Sequence, residues 1–502
     1  MGGYFTVPRL AARENALTPL MTANIVLIVM DTARADVFSP GEDAALDPPI
    51  EGRRYTNAFA SAPWTLPSHA GLFTGTYSSN HGAHAGHKRL SDDHPTLAGA
   101  LSDGGYETVA VSNNTWISEE FGFARGFETF HKTWQYVQTE TDLGEVARTQ
   151  EGTDKLRGVA RKILDGNPIT NLANAVYGQF FRRRNDEGAK ATNEWVDDWL
   201  ADREDSRPFF LFVNYLEPHL EYRPPREFAE AYLPEGVSYE EAMNVPQDAW
   251  AYIAGDLELG EREFEILRGL YRAELAYLCE RIRELRSSLE AAGEWEDTVF
   301  VVTGDHGENI GDHGLMDHQY CLYDTLLHVP LFVHGPGFDE GEEDRLVQLT
   351  DLAPTLLDAA GIDAAVMGEG LQGTSFHPEA DRDEPREQVI AEYLSPQPSM
   401  EALEKRVGDL SPEIERYDRS LRAIRSGEYK LVRGSDGTRE LYHVATDPDE
   451  REDLAETHPE TVTDLEAELD DWLSSFDHAD ASGSVAMSQS TQDRLEDLGY
   501  LQ

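Results

Sequence analysis

The sequence predicts an α/β fold: a doubly wound, mostly parallel sheet flanked by helices, followed by a small C-terminal α+β subdomain. Short continuous runs rich in Val, Ile and Phe are typical of strands buried on both faces of a parallel sheet. Five such runs lie at 24–30, 107–112, 208–214, 297–303 and 329–334. Amphipathic helical stretches fall between them, most clearly at about 261–292 and roughly 186–203. Strands that alternate with helices favour a doubly wound sheet.

The rest of the chain is divided by changes in composition. The predicted parts are an N-terminal extension at 1–21, the α/β domain at 22–370, a charged linker at 371–388, a subdomain at 389–475 and a tail at 476–502. Residues 135–185 are polar and are predicted to form an insertion that covers one face of the α/β domain. Strand patterns at 388–393, 420–425, 428–433 and 440–443, with a helix near 458–475, predict a small antiparallel sheet in the subdomain.

The charge balance restricts the class of partner. Asp and Glu number 94 against 42 Lys and Arg, which gives a formal net charge of −52 spread along the chain. Repulsion at long range disfavours nucleic acid and anionic membranes as partners. At about 1 M salt the Debye length shrinks to roughly 3 Å, so such self-repulsion becomes tolerable. Abundant carboxylates with few Lys therefore predict a halophilic protein from a salt-loaded cytoplasm, with an ordinary acidic protein as the alternative.

Cysteine usage and hydropathy point to the same compartment. Cys279 and Cys321 are the only cysteines and lie far apart in the sequence, which fits a reducing environment. Cys279 falls on the apolar face of the long helical stretch and is predicted to be a core residue. No signal peptide is recognised, and no run approaches the roughly 20 apolar residues of a membrane span. The sequence predicts a cytoplasmic protein without a membrane span.

Three separated segments bring polar side chains to the ends of predicted strands or the start of a helix. The run NIVLIVM ends in Asp31, the run VVTG ends in Asp305 and His306, and Thr65 stands directly before a predicted helix with Pro67 near its first position. A helix N-terminus carries unsatisfied N–H groups and favours an anion, and strand ends in such sheets carry ligand sites. The pattern predicts a metal-activated hydroxyl nucleophile acting on an anionic ester.

The donor set limits the metal. Two carboxylates, an imidazole and a hydroxyl, from Asp31, Asp305, His306 and Thr65, suit one divalent ion of Ca²⁺, Mg²⁺ or Mn²⁺ better than a thiolate-selected metal. Considered alone, Asp31 or Asp305 is also compatible with the N-cap of a helix that follows a strand. Thr65 alone is likewise compatible with the N-cap of its predicted helix. The spacing of His81, His84 and His87 is also compatible with a metal site, but Gly82 and Gly86 favour a loop there.

The chain resembles the sulfatase branch of the alkaline-phosphatase-like superfamily over roughly residues 22 to 470. Besides Asp31 and the final segments RAIRSGEYKLVR (422–433) and ELYHVATDPDEREDL, the similarity rests on TLPSHAGLFTG (65–75), GYETVAVSNN (105–114), PFFLFVNYLEPH (208–219), DHGENIGDHG (305–314) and VPLFVHGPG (329–337). The resemblance implies a metal-dependent hydrolase of sulfate or phosphate esters, here an archaeal-type halophilic member. Its implied substrates are small-molecule or glycan-linked anionic esters.

The resemblance also implies a departure from sulfatase chemistry. Thr65 occupies the slot where sulfatases carry a Cys or Ser that is oxidised to formylglycine, and the methyl group on its Cβ prevents that oxidation. Thr32 stands where sulfatases often have a second Asp, which leaves Mn²⁺ or Mg²⁺ plausible beside Ca²⁺. Phosphodiesterases and phospho-alcohol transferases of the superfamily use Thr at the nucleophile slot. A phosphate mono- or diester is therefore the chemically favoured substrate.

Several further positions are implied from the same resemblance. His69 stands where sulfatases have an Arg that supports the nucleophile and the metal, and it is predicted to take part in catalysis. Asn113 and Asn114 stand where sulfatases have a Lys and a His. We expect these two residues to contact ester oxygens as neutral donors, with ordinary strand-end turn residues as the alternative. His219 resembles the acid that protonates the leaving group, with packing against Tyr222 as the alternative. His318 stands where sulfatases often carry a Lys toward the anion. His313, in the same loop, is as compatible with a structural hydrogen bond as with catalysis.

Two other functions remain open from the sequence, whereas two-metal phosphatase or mutase chemistry is disfavoured because a full second set of His and Asp ligands is not recognised. One is a transferase of a phospho-alcohol group, which normally needs a membrane anchor to reach its donor. The other is a non-catalytic binding protein that retains the fold, favoured mildly by the loss of the sulfatase cations and opposed by the retention of Asp31, Thr65, Asp305 and His306. The sequence does not predict an oligomeric state.

Overall fold

The computed structural model describes residues 23–39, 46–133, 188–380 and 385–479. The predicted N-terminal extension, the insertion at 135–185 and nearly all of the tail lie outside these ranges. The described residues contain fourteen strands, β1 to β14, at Asn24–Met30, Arg53–Phe59, Glu107–Ser112, Thr129–Lys132, Phe209–Tyr215, Thr298–Gly304, Asn309–Ile310, Met316–Asp317, Leu331–His334, Gly341–Gln348, Gln388–Tyr393, Leu421–Ser426, Tyr429–Gly434 and Arg439–His443.

The same ranges contain thirteen α-helices. They are, as α1 to α13, Thr65–Thr74, Ser78–His81, Leu97–Asp103, Ala189–Asp202, Arg226–Tyr232, Tyr239–Ala242, Ala249–Ala254, Glu261–Ala292, Asp324–Leu327, Leu352–Ala359, Met400–Val407, Pro412–Glu415 and Pro459–Ser474. The longest, α8, agrees with the predicted range, and its apolar stripe is buried, Cys279 included. None of the helices in the described part of the chain is both long and apolar enough to cross a membrane.

The central sheet has eight strands in the order β10-β2-β9-β6-β1-β5-β3-β4. Strand β9 runs antiparallel to its neighbours β2 and β6, and all other neighbours are parallel. Every residue of β1, β5 and β6 is buried, as their apolar runs predict for strands covered on both faces. The predicted fold class, a mostly parallel sheet flanked by helices with a small C-terminal sheet, is confirmed.

Three strands of this sheet have no counterpart in the predicted set. β2 (RRYTNAF) and β10 (GEEDRLVQ) are polar and partly exposed, and β4 has four residues. β10 and β4 are the edge strands, where one side of the ladder is unpaired and a continuous apolar run is not needed. Continuous apolar runs therefore identify the buried central strands of the sheet but not the polar or short strands β2, β4 and β10.

The C-terminal residues form the predicted second sheet, with four antiparallel strands in the order β11-β12-β13-β14. It docks on the first domain through buried ion pairs: Lys430 Nζ lies 2.6 Å from Asp324 Oδ1 and 2.7 Å from Glu450 Oε1. Asp324 begins α9 and also accepts from Arg425 of β12 at 3.0 Å. Lys430 and Arg425 of the C-terminal sheet thus contact α9, the helix that follows the loop at 305–323.

Strands β6, β1, β5 and β3 are consecutive and parallel, so their carboxyl ends share one edge. Asp305 follows β6, Asp31 follows β1, His219 lies four residues beyond β5, and Asn113 follows β3. Ligands bind outside the carboxyl ends of strands in open α/β sheets. This edge is where the candidate site lies.

Candidate functional site

Thr65 is the first residue of α1 and not the residue before it. Trp64 holds the N-cap position in extended conformation, with φ −151° and ψ 162°, and Pro67 is the third helical residue. The prediction that Thr65 precedes the helix is therefore wrong by one residue, and so is the alternative that Thr65 is its N-cap. The hydroxyl still lies in the first turn, where unsatisfied N–H groups favour negative charge.

Close packing fixes the depth of α1 beneath the site. A Cβ on Gly71 would lie 2.6 Å from Ser61 Oγ and 3.1 Å from the Thr76 carbonyl oxygen, so a larger residue would displace the helix. Ser68 Oγ donates to the Asp305 carbonyl oxygen at 2.6 Å, which ties the first turn of the helix to the end of β6. The position of Thr65 is thus set from two directions.

The four predicted metal ligands lie together. One ligand atom each from Asp31, Asp305 and His306 lies within 4.8 Å of the others. His306 Nε2 is 3.4 Å from Asp305 Oδ2, 3.7 Å from Asp31 Oδ1 and 3.3 Å from Thr65 Oγ1. All four residues have no exposed side-chain surface. These separations are of the size expected for atoms around one cation with bonds of about 2.0–2.6 Å.

Neighbouring groups leave each ligand with one atom turned to the centre. The Asn114 side-chain amide donates to Asp31 Oδ2, while the backbone N–H groups of Thr32 and His306 donate to Asp305 Oδ1 at 3.1 and 2.9 Å. His306 Nδ1 lies 2.9 Å from the Gly307 carbonyl oxygen, so Nδ1 carries the hydrogen and Nε2 presents its lone pair. Such outer contacts are what orient metal ligands.

The remaining oxygens show that a cation fits this donor set. Asp31 Oδ1 and Asp305 Oδ2 are buried and accept no hydrogen bond from the described residues. Burial raises the pKa of Asp305 to about 7, and burial together with the Asp305 charge raises the pKa of Asp31. Burial also lowers the pKa of His306, which keeps its ring neutral as a ligand must be. A divalent cation would compensate both carboxylates.

His69 lies one helical turn after Thr65 and against the same carboxylate. Its Nδ1 is 2.9 Å from the Thr65 carbonyl oxygen and 3.4 Å from Asp305 Oδ2. The ring is buried near the rings of Phe123 and Phe212, and burial lowers its pKa to about 4. This His is therefore neutral near pH 7 and lies on α1 beside Asp305. Its predicted catalytic role stays a prediction.

The two Asn residues predicted to contact substrate have different surroundings. The Asn113 amide oxygen accepts from the hydroxyls of Thr133 at 2.8 Å and Thr192 at 2.9 Å. Asn114 donates to Asp31 and accepts from the Trp116 N–H at 2.8 Å. Asn114 therefore acts on a ligand carboxylate, and the Asn113 oxygen is already hydrogen-bonded away from that ligand set. A role of either residue in substrate binding stays a prediction.

His219 and His318 meet beside the ligand cluster. Their ring centroids are 5.3 Å apart, and the His318 ring is 4.6 Å from that of His306. His219 Nδ1 lies 2.5 Å from the Leu220 carbonyl oxygen, which directs Nε2 away from the backbone. Tyr222 packs against Tyr271, with ring centroids 5.5 Å apart. The structure places His219 and His318 beside the ligand cluster, and their catalytic roles stay predictions.

Two acidic residues at the site were missed by the sequence interpretation. His318 Nδ1 lies 2.5 Å from Asp317 Oδ1 and 3.3 Å from Glu308 Oε1, and all three side chains are buried. Burial opposes a charge on His318, but the two carboxylates raise its pKa well above the usual value. The DHGE pattern contained Glu308, but only the fold shows that the chain brings Asp317 back beside it.

The other His residues singled out in the sequence, His81, His84, His87 and His313, belong to neither group of close ligand atoms in the described ranges. His81 ends α2, and the backbones of His84 and His87 pair with each other. His313 stacks on Tyr323 with ring centroids 3.7 Å apart.

Comparison with known proteins identifies the family of the chain. The family model described as Sulfatase matches residues 23–362. The chain is 24% identical to arylsulfatase K of Rattus norvegicus over 493 residues, covering 92% of this chain and 80% of the relative. It is 24% identical to the choline-sulfatase of Rhizobium meliloti (strain 1021) over 452 residues, covering 86% of this chain and 82% of that relative.

A solved structure shows the same fold. The phosphonate monoester hydrolase of Agrobacterium radiobacter matches with a TM-score of 0.66 at 18% sequence identity, covering 90% of this chain and 95% of that chain. At that identity the likeness is one of fold.

Proposed function

The chain belongs to the sulfatase family of ester hydrolases, and we propose that it hydrolyses phosphate mono- or diesters with the unmodified hydroxyl of Thr65 as nucleophile. Members of this family generally bind a divalent metal ion. The observation that carries the proposal is the placement of Thr65 Oγ1, 3.3 Å from His306 Nε2, at the start of a helix and beside two buried carboxylates. The N–H groups at the start of the helix favour an anion beside this hydroxyl, and the carboxylates favour a cation.

The residues divide the reaction between them. A divalent cation held by Asp31, Thr65, Asp305 and His306 would lower the pKa of the Thr65 hydroxyl and neutralise charge on the ester oxygens. Thr65 Oγ1, whose proton passes to solvent, forms a bond to phosphorus while the bond between phosphorus and the leaving alcohol's oxygen breaks. His219 gives that oxygen a proton. Water then cleaves the phosphothreonine ester and regenerates the hydroxyl.

The chemistry of Thr is what favours phosphorus over sulfur. A sulfate ester of an aldehyde hydrate breaks down by losing sulfate through C–O cleavage, and the methyl group of Thr65 denies the chain that aldehyde. A threonine ester must be released by attack of water at the anion's centre, which phosphate esters undergo more readily with metal assistance. Solved structures named as phosphonate monoester hydrolases share this fold with one named as a sulfatase, so the fold does not restrict the ester to sulfate.

The proposal is tested by matched aryl esters. With one aryl leaving group, we expect kcat/KM for the phosphodiester or phosphonate ester to exceed that for the sulfate ester, measured in molar salt with Mn²⁺ or Mg²⁺ added. The same leaving group makes the comparison one of phosphorus against sulfur. A wild-type protein that cleaves the aryl sulfate much faster than every phosphate ester contradicts the proposal.

A further inference from the structure

A second group of possible metal ligands adjoins the first. After His306 the chain passes through the β7–β8 hairpin and returns, so that Asp317 and His318 come back beside Glu308. One ligand atom each from these three residues lies within 4.8 Å of the others. Asp317 has φ 72°, a left-handed conformation that is costly for a residue with a side chain. The backbone is strained where it turns this carboxylate inward.

The charges of this second group are not balanced by Arg or Lys. Glu308 and Asp317 each pair with His318, and no other ion pair to them occurs within the described ranges. The nearby guanidinium of Arg34 binds the Glu308 backbone carbonyl oxygen and the side chains of Asp36 and Asp312. Two buried carboxylates therefore share one imidazole, and buried charge needs closer compensation than that.

The second group, like the group of Asp31, Asp305 and His306, contains a buried carboxylate oxygen without a hydrogen bond in the described residues. Glu308 has no exposed surface, and its Oε2 has no hydrogen bond within 3.5 Å, like Asp31 Oδ1 and Asp305 Oδ2. The Tyr222 side chain lies beside this carboxylate without closing a hydrogen bond of that length to Oε2. The two groups touch, since the rings of His306 and His318 are 4.6 Å apart. Buried oxygens without partners are uncommon in folded proteins and call for an ion, a water or a chemical role.

We propose that Glu308, Asp317 and His318 form a second divalent-cation site next to the first. Two carboxylates and an imidazole suit Mn²⁺ or Mg²⁺. A cation bound there and a proton on His318 Nδ1 exclude each other, because one nitrogen lone pair cannot hold both. The meaning of the site for catalysis rests on the proposed function, since paired cations suit displacement at phosphorus.

Counting bound metal tests the site without reference to turnover. The full chain, stripped of metal and titrated with Mn²⁺ in molar salt, is expected to bind two ions per chain by elemental analysis, with magnetic coupling between them in electron paramagnetic resonance. Glu308→Gln is expected to bind one. Asp312→Asn, an acid-to-amide change in the same loop but outside the cluster, is expected to keep two.

The opposite results are equally definite. A wild-type chain that binds one Mn²⁺ and shows no coupling overturns the proposal, whether or not the Glu308→Gln chain folds. A folded Glu308→Gln chain that binds as many ions as the wild type also overturns it. Phosphodiester turnover by a chain with one Mn²⁺ would leave the proposed function standing while removing the second site.

Discussion

At the scale of single residues, hydrogen bonds to one oxygen of each candidate ligand carboxylate determine which oxygen faces the centre of the site. Asp305 has one oxygen held by two backbone N–H groups, and Asp31 has one held by Asn114. The other oxygen of each carboxylate is left for a cation. Sequence reasoning located the carboxylates from their strand-end positions. The family resemblance predicts that Asn114 contacts the substrate, while its pairing with Asp31, 83 positions away, is visible only in the fold.

Asn114 offers a test between these two roles. Asn114→Ala should weaken Mn²⁺ binding by roughly 10- to 100-fold, because the Asp31 carboxylate loses the donor that orients it. Turnover should recover when Mn²⁺ is raised to saturation, as measured by kcat and KM across a metal series. A KM for the ester that stays raised at saturating Mn²⁺ would instead support direct substrate contact.

At the scale of elements, the C-terminal sheet supports the loop that carries the site. Lys430 of β13 is buried between Asp324, which opens α9, and Glu450. The favourable charges of both carboxylates outweigh burial and raise the pKa of Lys430. Helix α9 directly follows the loop with Glu308, Asp317 and His318, so the docking of the sheet and the shape of the site are linked.

Removing this buried cation should be costly. Lys430→Met takes the paired cation from the buried Glu450 carboxylate and leaves Asp324 paired with Arg425 alone. It should lower the free energy of unfolding by about 3–5 kcal/mol, measured by denaturant titration in molar salt. The control is Arg451→Met, which breaks an exposed pair with Asp449 at 2.9 Å and should cost less than about 1 kcal/mol. Equal losses in the two variants would contradict a structural role for the buried pair.

The elements also show why prediction succeeded in the centre and failed at the margins. Buried strands such as β1 and β6 need apolar residues at every position, so their sequences reveal them. Strands β2 and β10 are polar, and β10 lies at an edge, so their assignment depends on neighbours distant in sequence. The second acidic group was missed for the same reason, since Glu308 and Asp317 are brought together by a hairpin of two-residue strands.

At the scale of the whole molecule, net charge is the dominant property. A charge of −52 on 502 residues is a self-repulsion that water at low ionic strength screens poorly. Many Arg and Lys side chains in the described ranges already form ion pairs with carboxylates, as Arg386 does with Asp351 and Arg203 with Glu107. The excess acid must be screened by solvent ions. A halophilic, cytoplasmic protein stays a prediction that this balance motivates.

Salt dependence of stability follows from that charge. The thermal unfolding midpoint should rise steadily from low to molar KCl, because screening at about 1 M reduces the Debye length to roughly 3 Å. Differential scanning calorimetry across a salt series measures it. A midpoint that is flat over the whole range would refute the halophilic interpretation.

The central claim, that the unmodified Thr65 hydroxyl is the nucleophile, is tested most directly by mass spectrometry of the quenched enzyme. The wild type, mixed with an aryl phosphodiester and acid-quenched during turnover, should carry the substrate without its aryl alcohol on Thr65. Thr65→Ala should carry no adduct and show no turnover while remaining folded, since little buried volume is lost. An adduct on Ser68, or full activity in Thr65→Ala, would contradict the account.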